Sequence, residues 1–202
     1  MGRLRKWVLP YYPYQGHQLP LYWYPSEDPT QLGHDLSILE YGVNHILNVL
    51  QQRSSSLFTT FTIRFPKMYP CDTVQDNSFF SNTMELFLRG ITFTHPSYLW
   101  VRERHDSQHQ HYHLALWVDG SVCKSFITLG EVLECRWCNT IGVYAPGLVE
   151  YRSAEYNKVH LVRNRSGIEE VSQAVYKLSY LSKLYTKEMD LSTGVKRWHH
   201  NR

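Results

Sequence analysis

No run in this 202-residue sequence is apolar for long enough to cross a bilayer. The N-terminus, MGRLRKWVLPYYPYQ, opens with positive charge, but prolines and tyrosines interrupt it before an apolar signal core can form. A cytoplasmic protein that engages no membrane is the expectation. Cysteine is sparse: Cys71, Cys123, Cys135 and Cys138. The one C-x-x-C, Cys135 to Cys138, has no second pair to complete a zinc site and falls in a helical pattern, so reduced thiols are expected. Charge of one sign is scarce as well. With 21 Lys and Arg against 18 Asp and Glu, the net charge is +3, which permits nucleic-acid binding through a local patch without demanding it. There are no internal repeats and no G-x-x-x-x-G-K-S/T phosphate loop.

Aromatic residues are abundant: 15 Tyr, 8 Phe and 6 Trp make 14% of the chain. Such rings pack cores, and they also stack on unpaired bases. Residues 1–34, rich in Pro, Tyr and Gly, read as an extended arm. A domain over 35–190 follows, and the basic stretch 191–202 reads as a flexible tail. Within the domain, Leu36, Ile38, Leu39, Val43, Ile46, Leu47 and Leu50 form one face of a helix that Asp35 caps. Leu57–Phe65 is β-branched and aromatic and reads as a strand that Pro66 ends. Asn77–Leu88 and Leu129–Thr140 read as helices, Tyr98–Arg104 and His111–Val118 as strands, and Leu148–Tyr151 and Val159–Val162 as short strands. Ser166 with Glu169 forms a capping box for a last helix reaching about Lys187. The short loop between the two middle strands requires them to be antiparallel. The fold class is α+β, with a central antiparallel sheet flanked by helices.

Two constellations carry chemistry. In the first, His109, His111 and His113 alternate along a strand and share one face, while Tyr112, Leu114, Leu116 and Val118 share the other. The expectation is a core on the apolar side, with the imidazoles pointing away from it. If Glu103 lies across the hairpin from His111 or His113, its carboxylate joins them. Mixed imidazole and carboxylate ligation suits Mg²⁺, Mn²⁺ or Zn²⁺, with Mg²⁺ or Mn²⁺ expected. Taken alone, an H-x-H is more often a pair of solvent-facing histidines.

In the second, Ile168, Val171, Val175 and Leu178 form the buried stripe of the last helix, and Tyr176, Tyr180, Lys183 and Lys187 form another. Tyr176 and Tyr180, four residues apart, can offer both hydroxyls to one place. A phenol, with a pKa near 10, attacks phosphorus only if a cation polarises the phosphodiester and positive charge favours the phenolate. The histidine cluster would hold the cation and Lys183 would supply the charge. Amphipathic packing is the ordinary reading of such a helix taken by itself.

In chain order, Phe61-Thr-Ile-Arg-Phe-Pro66, His111-Tyr112-His113 and Tyr180-Leu-Ser-Lys183 resemble the motif set of the HUH endonucleases. HYHLALWVDG, YKLSYLSKLYTK and WVRE (Trp100–Glu103) are similar to the replication initiators of inoviruses and to the prophage-encoded YagK/YfjJ family. The resemblance spans roughly residues 36–190. It implies His111, His113 and Glu103 as metal ligands, Tyr180 as the nucleophile that forms a 5′-phosphotyrosine, and Tyr176 at the place of a second tyrosine. Ser179 stands where some members carry another lysine, and Tyr112 is only half hydrophobic for the middle of the histidine motif. The implied function is a metal-dependent, site-specific nickase and strand transferase that initiates rolling-circle replication. Its partner would be single-stranded or hairpin DNA at an origin, with a host helicase acting in trans. A transposase or relaxase with the same chemistry, a non-catalytic prophage DNA-binding protein, and a zinc hydrolase built on the H-x-H are the alternatives.

Overall fold

A computed structural model describes residues 5–23, 32–70, 76–91, 96–104, 108–151, 158–162, 165–185 and 195–201. In chain order the elements are β1 (Lys6–Trp7), β2 (Tyr11–Tyr14), β3 (His17–Pro20), β4 (His34–Asp35), α1 (Leu36–Gln52), β5 (Ser55–Ile63), α2 (Ser78–Gly90), β6 (Ser97–Glu103), β7 (His111–Asp119), α3 (Phe126–Ile141), β8 (Val149–Glu150), β9 (Lys158–Val162), α4 (Ile168–Ser182) and β10 (Trp198–His200). The main sheet runs β10-β6-β7-β5-β8, with β9 also paired to β5. Every pairing in it is antiparallel. This is the expected α+β architecture.

Both faces of the sheet are covered. Leu57, Phe61, Ile63, Tyr98, Trp100, Tyr112, Leu114, Leu116 and Val118 pack with Phe80, Met84 and Phe87 of α2 and Leu129, Leu133 and Trp137 of α3. The alternate residues Phe58, Leu99, Val101, Ala115 and Trp117 pack with Ile38, Leu39, Val43 and Ile46 of α1 and Val171, Ala174, Val175 and Leu178 of α4. The histidine face of β7 is thus not the solvent side that alternation suggests. The apolar run Leu114–Val118 explains why: a strand buried on both faces reads as continuous hydrophobicity.

Helix α4 crosses the sheet close against α1. At Gly42 an added Cβ would lie 2.1 Å from Leu178 Cδ2, so only hydrogen fits there. Asp35 caps α1 as expected, its Oδ1 accepting from the Ser37 N–H at 2.9 Å.

Helix α4 departs from expectation at both ends. Its N-cap is Gly167, whose N–H donates to Glu170 Oε2 at 2.8 Å, one residue on from the Ser166/Glu169 box. Ile168 is 40% exposed and lies outside the buried stripe. The helix stops at Ser182, where β4 intercepts it: His34 bridges Lys183, and the Leu184 N–H donates to Gly33 O. His34 Nδ1 lies 2.9 Å from Ser182 Oγ and 3.2 Å from Ser179 O. A carbonyl only accepts, so Nδ1 carries the proton.

The N-terminal arm is tied down by pairing. β2 and β3 form a hairpin turning at Gln15-Gly16, both at positive φ, and β1 pairs with β4. Leu19 and Leu21 are buried with the α1/α4 cluster. Within the stretch read as a basic tail, β10 forms an edge strand on β6.

Candidate functional site

The hairpin of β6 and β7 sets the site. Glu103 pairs directly with His111, and Val101 with His113, so all these side chains face α4. Glu103 is 1% exposed. Its Oε2 lies 3.2 Å from His113 Nε2, 3.7 Å from His111 Nε2 and 3.5 Å from Lys183 Nζ. One ligand atom from each of Glu103, His111 and His113 falls within 4.8 Å of the others, and together they could hold a metal ion. His109 takes no part in this cluster. It precedes β7 and is buried, its ring 6.0 Å from that of Phe65 on the opposite face.

The donor set fits a cation. Thr62, opposite His113 on β5, places Oγ1 3.2 Å from His113 Nδ1. Burial holds the His113 pKa below the usual imidazole range, outweighing the pull of Glu103 in the other direction. His113 Nε2 is buried and outside hydrogen-bond geometry. A neutral imidazole donating Nδ1–H to Thr62 turns its Nε2 lone pair toward Glu103, as metal-ligating histidines do. In that tautomer two electron-rich atoms lie 3.2 Å apart in a buried site, and positive charge beside them relieves their repulsion. The Lys183 ammonium supplies part of that charge.

Helix α4 lays Tyr180 over the cluster. Its ring meets the His113 imidazole edge-on, with centroids 5.0 Å apart, and Lys183 Nζ sits 3.6 Å from its ring centre. Burial, then the negative charge of Glu103, push the Tyr180 phenol up to about 12. Tyr176, one turn earlier, is 43% exposed. Lys187 and Cys71 lie outside the described residues. Cys135 is exposed and Cys138 buried on α3, and neither belongs to a metal cluster among the described residues.

Three features of the arrangement depend on tertiary contacts. Tyr22 of the arm packs edge-on against Tyr180 with centroids 4.9 Å apart, and its N–H donates to Ser179 Oγ. Lys183, expected on a helical stripe, lies at the helix cap and is 6% exposed. Thr62 lies within the Phe61–Pro66 motif, but its place against His113 depends on strand register. A cleft of about 510 Å³ opens beside the cluster, lined by His113, Tyr180, Tyr176, Lys177, Tyr22 and Arg64, among others. No described helix is long and apolar enough to cross a membrane.

Residues 30–193 match the YagK/YfjJ C-terminal domain family. Neither a curated protein nor a solved structure gives a significant match.

Proposed function

This chain belongs to the YagK/YfjJ C-terminal domain family, and from that premise we propose that its cleft cuts one DNA strand through Tyr180, leaving a 5′-phosphotyrosine and a free 3′-hydroxyl. The observation that supports this reading is the edge-on contact of Tyr180 with His113, beside the cluster of Glu103, His111 and Lys183. A phenol, two imidazoles, a carboxylate and an ammonium converge, which suits phosphoryl transfer to tyrosine.

A divalent ion held by His111, His113 and Glu103, Mg²⁺ or Mn²⁺ by the chemistry of the set, would polarise the scissile phosphate as a Lewis acid. The chain's own residues do the rest. Tyr180 loses its phenolic proton to water in the cleft, and its oxygen bonds to phosphorus. The bond from phosphorus to the 3′-oxygen breaks, and that oxygen leaves as a hydroxyl after taking a proton. A later 3′-hydroxyl attacking the phosphotyrosine reverses these steps and rejoins strands. Lys183 steadies the phenolate from above the ring, opposing the Glu103 charge that otherwise keeps the phenol protonated. Thr62 holds the His113 ring in place.

In biological terms the reading is initiation of rolling-circle replication, with single-stranded or hairpin origin DNA as substrate and a helicase acting in trans. The test is nicking of single-stranded and hairpin DNA with Mg²⁺ or Mn²⁺. Wild type is expected to nick, and His111→Ala/His113→Ala to lose cleavage while keeping its circular dichroism. Equal cleavage by the double variant excludes the proposed site.

A further inference from the structure

One wall of the cleft is a single stripe of α4, formed by Tyr176, Lys177, Tyr180 and Leu181, and the facing wall belongs to β5 and β8. Arg64 and Glu150, on that second wall, form a rim ion pair at 2.7 Å. Lys177 is half-buried, and among the described residues no carboxylate pairs with it. A half-buried ammonium with no carboxylate pair among the described residues, in a cleft of about 510 Å³ whose Glu150 is engaged by Arg64, invites an anion of small-ligand size. Lys177 lies three residues before Tyr180 on α4. That spacing separates their Cβ atoms by about 5–6 Å, comparable to one nucleotide step along a strand. Tyr22 contributes a ring to the same cleft from a segment that precedes the family match at residue 30.

We propose that this cleft is a subsite for the nucleotide beside the cut, with Lys177 taking its phosphate and Tyr22 flanking its base. This rests on the nicking reading for what is cut, and it adds how the strand is held. It also makes the N-terminal arm, through Tyr22, part of the DNA site rather than a packing appendage. A lysine ammonium beside an aromatic wall is the combination single-stranded nucleic acid uses, because phosphates supply charge and every base supplies a stacking face. Arg64, tied to Glu150 at the rim, is a secondary phosphate contact.

The test is metal-free binding, which separates holding from cutting. A fluorescent single-stranded oligonucleotide of about 20 nucleotides, longer than one site, is titrated in EDTA against Tyr180→Phe protein over a series of salt concentrations. Adding Lys177→Gln is expected to weaken binding roughly fivefold to tenfold and to make the salt slope shallower by about 0.7, the loss of one phosphate contact. Adding Tyr22→Leu is expected to weaken binding several-fold with an unchanged slope, while Tyr22→Phe restores it. Unchanged affinity and slope in Lys177→Gln, or no binding by any of these proteins, overturns the subsite. If these binding effects appear while wild type forms no covalent adduct with DNA, the nicking reading falls and the strand-binding cleft stands.

Discussion

The Tyr180 ring stands edge-on to the His113 imidazole, with centroids 5.0 Å apart and planes at 83°. One residue comes from the last turn of α4, and the other from β7 in the middle of the sheet. Their contact brings the second chemical constellation of the sequence onto the first.

Thr62 is the support beneath His113. Thr62→Val keeps the shape of the side chain and removes the oxygen 3.2 Å from Nδ1. Mn²⁺ affinity, measured by calorimetry, should fall about tenfold or more, the usual cost of losing such a partner. Thermal stability in EDTA should change little. Unchanged affinity would mean that Thr62 does not orient the ring.

Lys183 balances Glu103, and both are buried. Lys183→Met leaves a buried carboxylate without its ammonium, which should destabilise the metal-free protein by about 3 kcal/mol. A divalent ion should then recover part of the loss. The rise in melting temperature on adding Mn²⁺ should therefore be larger in Lys183→Met than in wild type. An equal or smaller rise counts against a cation beside Glu103.

The seating of α4 depends on Gly42. A methyl there would meet Leu178 Cδ2 at 2.1 Å, so the Leu178 side chain would have to swing aside or the helices separate. Gly42→Ala should cost about 1–3 kcal/mol in denaturant unfolding, despite alanine's better helix propensity. A stabilised variant would show that the two helices are less tightly seated than described.

His45 sets an acid limb of stability. Its imidazole is stacked on Tyr41, and Nε2 lies 2.7 Å from Ser97 Oγ. Burial first, then the charges of Arg53 and His200, hold its pKa at about 4, against 6.5 ordinarily. Between those values the unfolded chain binds a proton that the folded one refuses, so stability falls as pH drops from 6.5 toward 4. The loss from this group is at most about 3 kcal/mol. His45→Gln should flatten the decline across that window, read from unfolding free energies at successive pH values. An unaltered slope would remove His45 as its source.

How much of this was legible in the sequence follows from the range of each interaction. The H-x-H alternation and the short hairpin to Glu103 are local, and the register brought Glu103 opposite His111. The end of α4 is not local. Its sequence continues without a Gly or Pro stop through Lys187, yet the helix halts at Ser182 because His34, nearly 150 residues earlier, bonds its last turn. That contact moves Lys183 from an outer stripe to the cap facing Glu103. Tyr22 was equally hidden, because an arm rich in Pro and Tyr carries no periodicity to show where its rings will land. The coverage of both sheet faces was readable in principle from Leu114–Val118, but histidine alternation in the same strand argued for an open face.

Mass spectrometry of the protein after reaction with single-stranded DNA and Mn²⁺ tests the account most directly. A nucleotide-bearing phosphotyrosine is expected on the peptide containing Tyr180, absent in EDTA and absent from Tyr180→Phe, while Tyr176→Phe still forms it. An adduct that persists at the wild-type level in Tyr180→Phe, or that forms equally without a divalent ion, would contradict it.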